Sequence, residues 1–152
     1  MSAAAAPRPS RASVARELER QVLAGCLEAC RALGIDAERR NVGQAEIGGR
    51  TVRFGRKGSA DITGTIPRGR HRGRRLEIEV KRPGASPRPE QLARLAETRA
   101  AGGIAFWITD AGDCLRVLQR VLDDGARIEV DEDGTQWVAW DDRPADPTPE
   151  GG

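Results

Sequence analysis

Apolar and polar residues alternate strictly over residues 76–81, where Leu76, Ile78 and Val80 interleave with Glu77, Glu79 and Lys81. Side chains on a strand repeat with a period of two, so this pattern predicts a strand over 74–81 with an apolar and a charged side. A helical period appears earlier. Leu18, Val22, Leu23, Cys26, Cys30 and Leu33 fall on one face of a helix spanning 13–33, with Ser13 as its cap and Gly34 just beyond its end. Residues 35–49 read as a connection closed by Gly48-Gly49, and 50–54 as a strand with Val52 and Phe54 inward. A strand over 61–66 ends at Pro67, and Arg68 to Gly73 forms the hairpin tip. After the turn at 82–85, Ser86 caps a helix with Pro87 at its first position and Leu92, Leu95 and Ala96 inward, ending at Gly102-Gly103.

The continuous apolar run 104–109 predicts a buried strand, parallel to 74–81 because a helix separates the two. Asp113 opens another helix bearing Leu115, Leu118, Val121 and Leu122. A terminal hairpin, 126–130 and 136–140, turns at 131–134, with Trp137 and Trp140 as packing residues. The order is that of an α/β domain built on a mixed sheet.

At 152 residues the chain suits one domain. We assign it to 13–140, with disordered tails at 1–12 and, acidic and proline-rich, at 141–152. Charged residues make up 32% and the net charge is only +2, but the charge is unevenly placed. Between Arg50 and Arg75 the lone acid is Asp61, set among arginines and Lys57, which suggests a polyanionic partner or simply an arginine-rich soluble surface. The three cysteines, Cys26, Cys30 and Cys114, include no Cys-x-x-Cys and suit a reducing cytosol. Cys26 and Cys30 could bind zinc only with further ligands; small buried thiols are the better reading. No stretch is long and apolar enough to span a bilayer.

Chemistry concentrates where Glu79 and Lys81 project side by side from the 74–81 strand. If Asp61 starts the preceding antiparallel strand, its carboxylate lies across from them. Two carboxylates can hold Mg²⁺ or Mn²⁺ while a lysine orients or helps deprotonate a water, as phosphodiester hydrolysis requires. The plainer alternative is a solvated strand edge with a weak ion pair. Glu19 falls near the middle of the first helix's apolar face, where a carboxylate is costly unless something pairs with it.

Gly58-Ser59-Ala60-Asp61, Glu79-Val80-Lys81-Arg82-Pro83, Ser86-Pro87, Glu90-Gln91 and Ala101-Gly102-Gly103-Ile104-Ala105 resemble, in order and spacing, the VRR-NUC (virus-type replication-repair nuclease) family of the PD-(D/E)xK superfamily. Arg40-Asn41-Val42-Gly43 and Val52-Arg53-Phe54-Gly55 resemble its upstream segments, so the likeness covers about 14–110. One departure is Ala60, where the family usually has the proline that shapes the turn. The resemblance implies a restriction-endonuclease-like core, α-β-β-β-α-β, with the C-terminal helix and hairpin appended. It implies Asp61, Glu79 and the Val80 carbonyl as metal ligands, Lys81 at the nucleophilic water, Glu19 as a further acid and Gln91 in support. It further implies cleavage of DNA, branched as junctions, forks or flaps, assembly as a homodimer, and a bacterial or phage-infected host cytosol. Arg40, Arg53, Arg56, Lys57, Arg68, Arg70, Arg72, Arg74 and Arg82 are the candidate contacts to DNA. A nucleic-acid-binding module without catalysis is the alternative, and a structural phage component a third; both are disfavoured by the intact Asp61, Glu79 and Lys81.

Overall fold

The computed structural model describes residues 5–40, 43–54 and 60–140. Its central sheet contains β1 (Ala37–Arg39), β4 (Ile62–Thr65), β5 (Arg75–Val80) and β6 (Ile104–Ile108), in the order β1-β4-β5-β6. β4 is antiparallel to β1 and β5, whereas β5 and β6 run parallel, so the sheet is mixed. The parallel pair is joined through α2 (Pro89–Ala100), as a crossover between parallel neighbours requires. Two further helices, α1 (Arg11–Ala32) and α3 (Ala111–Asp123), complete the three among the described residues. β2 (Gly43–Ile47) with β3 (Arg50–Phe54), and β7 (Arg127–Val130) with β8 (Gln136–Ala139), form separate two-stranded hairpins.

The two faces of the sheet differ in chemistry. Leu76, Ile78 and Val80 of β5 join Ile62, Ile104, Phe106 and Ile108 in the main core, closed by Leu23, Cys26 and Cys30 of α1 and Cys114, Leu118 and Val121 of α3. The opposite face carries Glu77 and Glu79, and α2 covers it, with Leu95 packed against Ala60, Ala105 and Trp107. β5 is therefore buried on both sides, including its charged one. All three thiols are buried, as the sequence suggests. No helix among the described residues is long and apolar enough to cross a membrane.

Several boundaries differ from expectation. α1 begins at Arg11, because Ser10 is the cap: its hydroxyl accepts from the Ser13 N–H at 3.1 Å, and the Ser13 hydroxyl donates back to the Ser10 carbonyl. Two residues assigned to the N-terminal tail are thus helical, and the assigned C-terminal tail lies outside the described residues. The buried stripe of α1 starts at Leu23, and Leu18 is 40% exposed. The stretch read as a connection contributes β1 to the sheet edge, while the 50–54 strand pairs only with β2, which leaves Val52 40% exposed. α2 starts at Pro89, after Ser86 and Pro87, and Gln91 and Thr98 are buried where Ala96 was expected. α3 starts two residues before Asp113, capped by the Asp110 carboxylate. Trp137 and Trp140 are half exposed, Trp140 lying 5.9 Å from the Arg120 guanidinium. It is Trp107 that anchors the terminal hairpin: its indole N–H donates to the Gly134 carbonyl, and its main chain exchanges two bonds with the Gln136 amide.

The β4–β5 turn does not stand free. Gly69, at φ 81°, approaches the α3 end so closely that a Cβ would fall 2.4 Å from the Leu122 carbonyl oxygen. His71 is buried, and its Nε2 lies 2.9 Å from the Gly125 carbonyl, which assigns it the proton. Burial, followed by the charges of Arg74 and Arg70, holds its pKa below 6.5, against the pull of the Gly125 bond. A histidine with a lowered folded pKa contributes stability above pH 6.5 and loses it as pH falls. His71 is the sole histidine, so one imidazole resonance reports it. Its NMR titration is expected to have a midpoint below 6.5; a midpoint at or above the unperturbed value would contradict this packing.

Candidate active site

Strand register brings the predicted trio together. Ile62 pairs with Ile78, which sets Asp61, one residue before β4, opposite Glu79 at the end of β5. The Asp61 Oδ2 accepts the Val80 N–H at 2.8 Å, and its carbonyl accepts the Arg40 N–H at 2.7 Å, so the segments on either side of it fix it. The Lys81 N–H donates to Ile108 in β6. Main-chain groups alternate sides along a strand, so the Val80 N–H and carbonyl both face the Asp61 side. Ala60, where the resembled family has proline, is buried against Leu95.

Glu79 is 2% exposed. Its Oε1 accepts from the Gln91 Nε2 at 2.7 Å and lies 3.5 Å from the Lys81 Nζ. Gln91 is itself held by the first turn of α2, its Oε1 accepting the Arg88 N–H at 2.9 Å, and this bond fixes which way the amide points. The Glu79 Oε2 is buried and has no partner among the described residues. Burial pushes the Glu79 pKa up to about 8, reinforced by the Asp61 charge; the Lys81 ammonium pulls the other way and loses. A carboxylate with an unpartnered buried oxygen beside a second carboxylate is a set of oxygen donors. The residues present fit a hard divalent ion, which takes carboxylate, carbonyl and water oxygens.

One strand repeat away, Glu77 has the opposite character. It is fully buried, and its Oε1 meets Arg75 at 2.8 Å, Arg94 at 3.2 Å and Arg40 at 3.8 Å, while Thr98 donates to its Oε2 at 2.6 Å. Sequence reasoning missed this cluster. A signal existed: Gln91, Arg94 and Thr98 lie three and four residues apart, on one face of α2.

Glu19 reaches the site from the other side of the sheet. It is not sealed inside a packed stripe, because the N-terminal half of α1 overhangs a cleft of about 550 Å³ that Glu19 lines together with Asp61 and Val80. Among the described residues no three His, Cys, Asp or Glu side chains cluster closely enough to hold a metal by themselves, so Glu19 does not join the carboxylate pair directly.

The candidate DNA-contacting residues are dispersed. Arg82 is exposed and follows Lys81 at the site. Arg40 faces Glu77. Arg68 pairs with Asp123 at 2.6 Å, and Arg70 packs on Gly125. Arg72 and Arg74 are exposed. These last four lie at the other end of β4 and β5 from Asp61 and Glu79, about 17 Å away by strand rise. Arg56 and Lys57 lie outside the described residues, as does the Arg53 side chain.

No protein-family model, curated protein or solved structure matches the chain. The chain has a mixed α/β fold whose central sheet is flanked by helices, with a carboxylate pair and a lysine at the adjoining ends of β4 and β5.

Proposed function

We propose that the chain is a Mg²⁺- or Mn²⁺-dependent nuclease that hydrolyses phosphodiester bonds in DNA, with the restriction-endonuclease-like core of the PD-(D/E)xK superfamily and its VRR-NUC branch. The observation that carries this reading is the contrast between Glu77 and Glu79. Both are buried on the same side of β5, yet Glu77 is fully matched by cations and a hydroxyl, while Glu79 keeps an orphaned oxygen next to Asp61. Burying an uncompensated carboxylate oxygen costs stability, so a chain that compensates one glutamate so thoroughly and leaves one oxygen of its neighbour without a partner has reserved the second for a ligand.

Asp61, Glu79 and the Val80 carbonyl would hold the ion, with Glu19 reaching it through water. When bound, the ion supplies charge neutralisation at the phosphate and a bound water of lowered pKa. The chain's own groups do the rest. Gln91 fixes the Glu79 carboxylate, and Lys81, only 14% exposed at its side chain, holds its ammonium where it can orient the attacking water. Branched DNA as the substrate, a homodimer as the working form and the cytosol as its location belong to the same proposal.

The test is incubation with flap, fork, four-way junction, linear and supercoiled DNA in Mg²⁺, Mn²⁺ or EDTA. Metal-dependent cleavage, strongest on one branched form, is expected. Binding without cleavage of any form would instead make the chain a binding module. Glu19 can be examined in the same assay. It is half-buried and unpaired among the described residues, so Glu19→Gln should change stability by less than about 0.5 kcal/mol. Acting through a metal-bound water, it should still lower cleavage about 10–100-fold. Glu17 meets Arg20 and Gln21 on the surface, and Glu17→Gln should leave cleavage unchanged. Equal small effects at both positions would remove Glu19 from the site.

A further inference from the structure

The cleft beside Asp61 carries more positive charge than the sequence-based candidates suggest. Three arginines line it: Arg16 and Arg20 from α1, and Arg39 from the end of β1. Their side of the sheet is the one opposite Gln91 and α2. Arg16 and Arg20 are one helical turn apart, about 6 Å along the axis, and so point the same way. Arg39 faces them across the cleft. Arg20 meets Glu17 at 2.7 Å in an exposed pair, which solvent screens and which contributes little. Arg16 and Arg39 have no carboxylate partner among the described residues. Arg40, Arg75 and Arg94 behave differently, since all three are taken up by Glu77.

We infer that Arg16, Arg20 and Arg39 form a phosphate cradle through which one DNA strand passes to the Asp61–Glu79 pair. This rests on the nuclease reading of that pair. Asp61 and Glu19 create a negative potential that repels a polyanion, and a strand can reach them only where cations offset it. The cleft is the place where unengaged guanidinium groups and Asp61 share one concavity, and guanidinium matches phosphate bidentately. The arginine turn at 68–74 cannot serve this role at the reacting bond, because it is a strand's length away and packed against the end of α3.

The experiment measures binding apart from chemistry. A fluorescein-labelled single-stranded oligonucleotide is titrated with the protein in EDTA at several KCl concentrations, using wild type, the triple variant Arg16→Ala/Arg20→Ala/Arg39→Ala, Arg72→Ala/Arg74→Ala and Arg31→Ala. All these side chains are exposed, so folding should persist and is checked by circular dichroism. Should the triple variant nevertheless fail to fold, Arg16→Glu alone replaces it, with weakened binding expected. For the triple variant, the slope of log affinity on log salt should fall in magnitude by about 2, since each phosphate neutralised on a single strand contributes about 0.7. Arg31→Ala, at the far end of α1, should match wild type. An unchanged slope in the triple variant would overturn the cradle. So would a larger loss in the 72/74 pair, or absence of DNA binding by wild type. Cleavage is assayed separately in Mg²⁺: a lost slope in a protein that never cleaves upholds the cradle and removes the nuclease.

Discussion

Glu79→Gln is expected to abolish metal-dependent DNA cleavage while leaving the metal-free protein at least as stable as wild type. The two halves of this outcome have one cause. With a pKa near 8, Glu79 holds a proton at neutral pH when no cation is present, so glutamine reproduces its shape, its neutrality and its bond from Gln91. What glutamine cannot do is release that proton and become an anionic ligand. Cleavage should fall by at least about 10²–10³-fold, the range seen when one group stabilising transition-state charge is removed. Wild type should also gain several degrees in melting temperature in saturating Mn²⁺, because a ligand at a hundred times its Kd stabilises by about 2.7 kcal/mol, and the variant should gain almost nothing. A variant that cleaves at the wild-type rate would show that the metal site is wrongly placed.

The same proton sets a pH dependence. A glutamate whose folded pKa is raised from 4.5 to about 8 adds stability that is complete below pH 4.5 and is lost as pH rises through 8. In EDTA the protein should therefore lose on the order of a few kcal/mol between those limits from this group, and Glu79→Gln should flatten that slope. Metal binding runs in the opposite sense. Each ion that binds must displace the proton, so affinity should rise with pH up to about 8 and level off above it. Calorimetry in two buffers of different ionisation enthalpy would count the proton released.

The residues of this site were legible because Glu79 and Lys81 share one short alternating stretch and Asp61 lies across a single hairpin from it. Asp61, Glu79 and Lys81 need only the period of two and one hairpin to meet, and both are local. Gln91 was legible through its place in the first turn of α2. The surroundings were not. Alternation in β5 marks a charged side, which ordinarily faces water, and nothing within the strand says that a helix twelve residues away will cover it. β1 is three residues long, with little burial of its own, and exists because β4 offers it an edge. The Gly48-Gly49 turn was legible, and both glycines take positive φ, but it did not show that a strand would precede it and pair with 50–54 apart from the central sheet. Ser10 and Ser13 are equally good caps by residue type, and residue type alone does not show that Ser10 takes the cap and Ser13 bonds back to it.

Glu77 should respond in the reverse manner to Glu79, and that reversal tests the central argument most severely. Glu77→Ala leaves the Arg94 guanidinium, 18% exposed at its side chain, and the Thr98 hydroxyl without the acceptor they share. Arg75 and Arg40 are more exposed and can turn to water, so most of the penalty falls on the α2 side. Breaking a buried pair by removing one partner costs about 3–5 kcal/mol, and urea unfolding in EDTA at pH 7 should show a loss of that size. If that variant is too unstable to purify, Glu77→Gln remains measurable. It keeps the acceptor for Thr98 but not the charge, and a loss of about 1–3 kcal/mol is expected. Metal-induced stabilisation should persist in Glu77→Gln, because Asp61, Glu79 and the Val80 carbonyl are untouched. Neighbouring glutamates of equal burial would then separate cleanly, one costing stability without metal binding and the other metal binding without stability. If Glu77→Ala stayed within about 0.5 kcal/mol of wild type, the arginine ring would be no more than surface pairing. The contrast that marks Glu79 as the reserved carboxylate would then be lost.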